Sequence, residues 1–176
     1  MLKSSANESL LNTALILALA SVFTCYLIAN LTLQEGFSQI EFSMMALMPG
    51  VVFFFCTFIG GIYGLMLYRK HCFKEEKQPS TWLALGILLL GLLVVTGLLD
   101  ALYFFVIDKS LSQEFANGFQ LYMGMEQEEL EGFAELPFLM QNGAVSIGAI
   151  VMALLLATPI ANSLAKKPEE KNPAMM

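Results

Sequence analysis

The sequence predicts an all-α membrane fold: an integral membrane four-helix bundle with an additional amphipathic extracytoplasmic helix between spans 3 and 4. Three observations predict it. Of the 176 residues, 57% are hydrophobic and only 14% are charged, and the mean hydropathy is +0.67; a soluble domain carries about 45–50% apolar and about 25% charged residues. The apolar excess is gathered into four long runs divided by polar segments, the pattern of a membrane bundle rather than of a globular core. The basic residues, finally, fall on alternate connections. Four spans make one compact unit, so the chain reads as a single transmembrane domain over 1–176.

The first span, 10–33, has no charge between Glu8 and Glu35. Ala18-Leu19-Ala20 fits a signal-peptide cleavage site behind the weakly basic start at Lys3. The apolar stretch nevertheless runs on through Val22, Phe23, Tyr26, Leu27 and Ile28, beyond the roughly 7–15 residues of a signal core. Val22-Phe23-Thr24-Cys25 is also a poor lipoprotein site, so the segment reads as an uncleaved span. The second span, 42–68, is free of charge between Glu41 and Arg69, and the third, 81–107, contains one acid, Asp100. The fourth, 136–165, has none between Glu135 and Lys166. Each exceeds the roughly 20 residues that carry a helix across about 30 Å of hydrocarbon. Helices are required there because lipid cannot satisfy backbone N–H and C=O groups. Strands of a membrane barrel would be shorter and would alternate.

Between the third and fourth spans, 109–135 is too long for a structureless loop. Leu111, Phe115, Phe119, Tyr122, Leu130 and Phe133 recur at helical spacing, with Gln113, Glu114, Gln127, Glu128 and Glu131 between them. That pattern predicts an amphipathic helix, started by Ser110 or Ser112 as N-cap and broken near Gly124. Pro137 marks the entry to the fourth span. An acidic helix is ill suited to anionic headgroups, so packing over the bundle or against a partner is expected. The polar, proline-punctuated tail 166–176 is expected to be disordered.

Orientation follows from Lys and Arg in the short connections. Lys3, then Arg69, Lys70, Lys74 and Lys77, then Lys166, Lys167 and Lys171 lie on one side. The other side holds Lys109 and the acids Glu35, Glu41, Asp108, Glu114, Glu126, Glu128, Glu129, Glu131 and Glu135. Both termini and the middle loop are therefore expected in the cytoplasm. No basic patch with interleaved aromatics exists, so nucleic acid is not an expected partner; the lipid bilayer is.

Asp100 is the most pointed candidate residue, because a carboxylate at membrane depth is costly. It reads as a proton or cation site, as a polar contact that locks the bundle, or as a side chain close enough to the outer surface to reach water. Asn30, Gln141 and Asn142 map near the outer ends of the first and fourth spans; they read either as a polar cluster with Asp100 or, more commonly, as interfacial residues or interhelical hydrogen bonds. Gly60 and Gly64 share a helix face, and Ala144 and Gly148 repeat that spacing; both pairs suit close helix packing, within the chain or between chains. Pro49-Gly50 and Pro159 are expected to kink or cap their spans. Cys25, Cys56 and Cys72 form no disulfide framework. His71 beside Cys72 falls short of a zinc site, which takes about four ligands. The acidic run 126–131 lacks the spacing of a calcium loop. No catalytic, cofactor or metal residue is expected.

Three stretches carry a family resemblance. Gly60-Gly61-Ile62-Tyr63 leads to Tyr68-Arg69-Lys70; Leu102-Tyr103-Phe104-Phe105-Val106-Ile107-Asp108 enters the outer segment; and the Glu-rich stretch from Met123 to Glu135 returns into a Gly/Ala-rich span ending in Lys166-Lys167-Pro168. Together they cover most of the chain, and the layout resembles the domain of unknown function 4199 family of Bacteroidota membrane proteins. The resemblance implies a bacterial inner-membrane protein without an established activity, encoded near membrane glycosyltransferases that use polyprenyl-phosphate sugars. It brings no site residues with it.

The expected function is that of an accessory or scaffold protein, not an enzyme, that binds or anchors a protein partner or a second copy of itself. Two alternatives stand beside it. One is a small oligomeric transporter or channel subunit using Asp100. The other is a membrane enzyme acting on lipid substrates, which needs an acid/base pair held in reach.

Overall fold

The computed structural model describes residues 5–32 and 38–165. Lys3, Glu35 and the tail lysines, with the disorder expected of 166–176, lie outside the described residues. Four helices are long and apolar enough to cross a membrane: α1 (Ala6–Thr32), α2 (Gln39–Lys74), α3 (Thr81–Leu102) continued by a π-helical turn (Tyr103–Ile107), and α7 (Gly143–Leu164). Between α3 and α7 come α4 (Ser110–Met123), α5 (Gln127–Ala134) and the four-residue α6 (Phe138–Gln141). No strand occurs among the described residues. The fold is an all-α membrane bundle.

Local chemistry explains most helix starts. Ser38 accepts from the Glu41 N–H while the Glu41 carboxylate accepts from the Ser38 N–H, a reciprocal cap that starts α2. Ser5 and Glu8 make the same exchange at α1. Ser80 caps α3 through the Leu83 N–H. At α4 the cap comes from neither serine expected to provide it. Asp108 accepts the Ser110 backbone N–H at 2.8 Å and the Ser110 hydroxyl at 2.6 Å, so Ser110 is the first helical residue, and Ser112 is buried within the helix. Gly124, at φ 70°, ends α4 in the left-handed conformation that glycine adopts without steric cost. The break expected near Gly124 is there.

The fourth span departs from the continuous run 136–165. Leu136 and Pro137 precede the short α6, and Asn142 separates α6 from α7. In an unbroken helix the Asn142 N–H would bond to the Phe138 carbonyl. Here the Asn142 side-chain amide takes that carbonyl at 3.2 Å, and its backbone N–H turns to Met140. A side chain has replaced the backbone in the ladder, and the helix breaks at that point. Pro49 and Pro159, by contrast, lie inside α2 and α7 and cap neither.

The helices are ordered α3, α1, α2, α7, with α1 packed on both α2 and α3, and α2 on α7. Consequently α1 is the most buried of the four, and α3, at the edge, is the least. Glycines set the close approaches. A Cβ on Gly64 would sit 2.7 Å from Thr13 Cγ2, one on Gly91 would sit 2.9 Å from Ala14, and one on Gly60 would collide with Leu17. Gly60 and Gly64 thus face α1. Gly61 faces Leu154 and Ala157 of α7. Ala144 and Gly148 do not pack within the chain: both are exposed, and space is open around Gly148. They lie on the side of α7 turned away from α2.

The α4–α5 pair forms a cap over one end of the bundle. Phe42 at the start of α2 lies within 5.0–5.5 Å, centroid to centroid, of Phe115, Phe119 and Tyr122 of α4. Phe115 meets Phe138 edge-on, and Phe119 meets Phe133 of α5. Edge-on aromatic pairs of this kind contribute about 0.5–1.5 kcal/mol each beyond their area burial.

Candidate functional site

Asp100 lies on α3 one turn before the π-helical segment and has no exposed surface. It does not reach water. Its Oδ1 accepts the Tyr26 hydroxyl at 2.5 Å and the Leu139 backbone N–H at 3.1 Å. Its Oδ2 accepts the Met140 backbone N–H at 3.0 Å. Leu139 and Met140 are the second and third residues of α6, positions whose N–H groups have no partner inside their own helix. Pro137, directly before α6, makes no side-chain cap. Asp100 therefore caps α6 from a different helix, placing a carboxylate where the helix dipole favours negative charge.

Tyr26 is held from the other side. Its ring stacks on Tyr103 at 3.8 Å between centroids and lies edge-on to Phe138 at 5.9 Å. Asn30 donates through Nδ2 to the Tyr26 carbonyl at 2.8 Å and to the Tyr103 hydroxyl at 2.9 Å. Tyr103 opens the π-helical turn, which closes when the Asp108 N–H bonds to the Tyr103 carbonyl at 3.0 Å. The turn thus sets Tyr103 against Tyr26, beside Asp100.

Of the four residues expected to cluster, Asp100 and Asn30 share one network through Tyr26 and Tyr103. Gln141 does a different task. Its Nε2 lies within hydrogen-bonding distance of the carbonyls of Ser112 (3.1 Å), Phe133 (3.0 Å) and Leu136 (2.9 Å), tying α4 and the end of α5 to α6. Asn142 serves only the break described above. Tyr26 and Tyr103 are the members that sequence reasoning missed. Their signal was a phenol inside an apolar run, since a buried tyrosine hydroxyl usually has a partner.

Among the described residues the donors to Asp100 are Tyr26, Leu139 and Met140, and the carboxyl group is enclosed by α1, α3 and α6. This arrangement fixes the position of the cap and of the chain's return into α7. The three cysteines are free thiols. Among the described residues no group of three or more His, Cys, Asp or Glu side chains could hold a metal ion. The acids of α5 all stay exposed, and no residue of α5 is buried. The chain matches no family model, no curated protein and no solved structure; its four long apolar helices make it a multi-pass membrane protein in contact with the lipid bilayer.

Proposed function

We propose that this is an accessory membrane protein that binds or anchors a partner, with the cap as its docking element. One observation carries the reading. The polar groups of Asp100, Tyr26, Asn30, Tyr103 and Gln141 act inward, fixing the cap on the bundle, whereas α5 presents Glu128, Glu129 and Glu131 outward, with Glu126 just before them. No ion pair engages these four acids among the described residues. An acidic helix tied to the bundle through Phe133, its carboxylates without an ion-pair partner among the described residues, suits a basic surface on another protein. The positive-inside asymmetry supports placing that helix outside and both termini in the cytoplasm. The family resemblance supports a bacterial inner membrane and a membrane glycosyltransferase as the partner to look for, with a second copy of this chain as the alternative. Transport through Asp100 is the weaker reading, because a conducted ion needs a watered route and Asp100 is fully enclosed.

Crosslinking in native membranes followed by purification in mild detergent tests the proposal. The expected result is one specific crosslinked species that disappears when Glu128, Glu129 and Glu131 are each replaced by Lys. A clean monomer, or a species indifferent to the charge reversal, counts against it.

A further inference from the structure

A cleft of about 660 Å³ opens where the π-helical turn meets the cap. That is the size of a small-molecule site, which runs to about 300–1,000 Å³. One wall is apolar: Phe105 and Val106 line it and are 76% and 71% exposed, at the end of a membrane-spanning segment. The other wall is polar and comes from Asp108, Lys109, Gln113 and Glu135. Lys109 and Glu135 face the same space, yet they form no ion pair with each other, nor with any other described residue. Asp108 is turned to Ser110, whose hydroxyl and backbone N–H hold its carboxyl below the usual carboxylate range. It remains an anion with lone pairs to spare.

We propose that this cleft binds one phospholipid with a primary-amine headgroup, phosphatidylethanolamine in chemical class, from the leaflet on the cap side. The apolar wall continues the hydrocarbon surface of α3, so acyl chains lie along Phe105 and Val106 without leaving the bilayer. Lys109 receives the phosphate. Glu135, assisted by Asp108, receives the ammonium, whose N–H groups a carboxylate binds through charge-assisted hydrogen bonds. Two carboxylates against one ammonium make the polar wall net negative, which opposes headgroups with net negative charge such as phosphatidylglycerol. A quaternary choline has no N–H to donate. The zwitterion with a primary amine satisfies both free charges at once. This inference is independent of the partner proposed above and of which side of the membrane the cap faces.

The test is native mass spectrometry of the full chain released from nanodiscs containing equal phosphatidylethanolamine, phosphatidylglycerol and phosphatidylcholine. The expected result is retention of phosphatidylethanolamine about tenfold over either competitor, the factor that one charge-assisted hydrogen bond brings. Glu135→Gln abolishes the preference over phosphatidylcholine, and Lys109→Ala lowers retention of both zwitterionic lipids alike. Glu129→Gln, on the exposed face of α5, changes nothing. Equal retention of the three lipids, dominance of phosphatidylglycerol, or a preference unchanged in both cleft variants overturns the proposal. Lys109 and Glu135 are exposed, so the variants keep the core intact, and the wild-type measurement decides the matter even if one of them does not.

Discussion

The two halves of the bundle are held together by different physics. Towards the 75–80 loop, α1 meets α2 and α3 through absent side chains: Gly60 and Gly64 admit Leu17 and Thr13, and Gly91 admits Ala14. Towards the cap, α1, α3 and α6 are joined by a buried carboxylate and two stacked phenols, and α2 is joined to α4 by a run of aromatic rings. Glycine contacts gain from dispersion over a close approach and tolerate no added atom. The polar lock gains from low dielectric, where a made hydrogen bond is strong and an unmet donor is costly. The lesson is that the half carrying the cap is the half that uses directional bonds. Close packing fixes distance between helices, but it takes hydrogen-bond geometry to fix the register of α6 and the cap against α3.

Asp100→Ala breaks the cap half most severely. It strands the Tyr26 hydroxyl and two backbone N–H groups, each unsatisfied buried donor costing about 1–3 kcal/mol. The expected outcome is a lower unfolding midpoint in detergent together with faster amide exchange confined to 110–141. Tyr26→Phe, which removes one of the three bonds, should show the same exchange pattern at a smaller amplitude. Uniform exchange along all four spans would mean that Asp100 holds the bundle rather than the cap.

Gly64→Val addresses the other half. A Cβ there already falls 2.7 Å from Thr13 Cγ2, so the added valine side chain should cost about 1–3 kcal/mol, the usual range for overpacking. The exchange of the cap should stay unchanged. Gly148→Ala, in open space on α7, should move the unfolding midpoint by the equivalent of about 0.5 kcal/mol or less. If Gly148→Ala instead shifts the oligomeric state seen on a sizing column, α7 contacts a neighbour in the membrane.

The smallest effect concerns the junction between the halves and the cleft. The Asp108 carboxyl sits below its ordinary value of 3.8, chiefly through the Ser110 hydroxyl and then its backbone N–H. A depressed carboxyl favours the folded state above the ordinary value, and the benefit is lost as pH falls through the folded one. Amide exchange at Ser110 should therefore be flat from neutral pH down to the ordinary carboxylate range and rise below it, relative to neighbouring amides. Asp108→Asn should remove that extra rise.

Much of this architecture was legible in one dimension. The four apolar runs located the spans because hydrocarbon tolerates no unpaired backbone, and helical hydrogen bonding is local. Gly124 marked the end of α4 because helix termination acts within a few residues, whereas the caps Ser38 and Ser80 emerged only with the helices they start. Asp100 stood out because one carboxylate in an apolar run is costly wherever its partners lie. The break at Asn142 was harder to see, since it depends on whether an amide or a backbone N–H wins the Phe138 carbonyl. Tyr26 and Tyr103 were hidden for a different reason. They are 77 positions apart in the chain, and no periodicity within either helix announces that their rings stack.

What the sequence alone determined is the membrane-spanning, all-helical character of the chain, the charge asymmetry of its connections, and the glycine faces available for packing. These follow from local hydrogen bonding, composition and helical periodicity, all properties of neighbouring residues. Only the tertiary structure decided which face meets which helix: Gly60 and Gly64 turn to α1, whereas Ala144 and Gly148 turn away from the bundle. It alone showed that Asp100 caps α6 rather than meeting water. Partners contributed by α1, α3 and the start of the fourth span come together through packing, and packing depends on every helix at once.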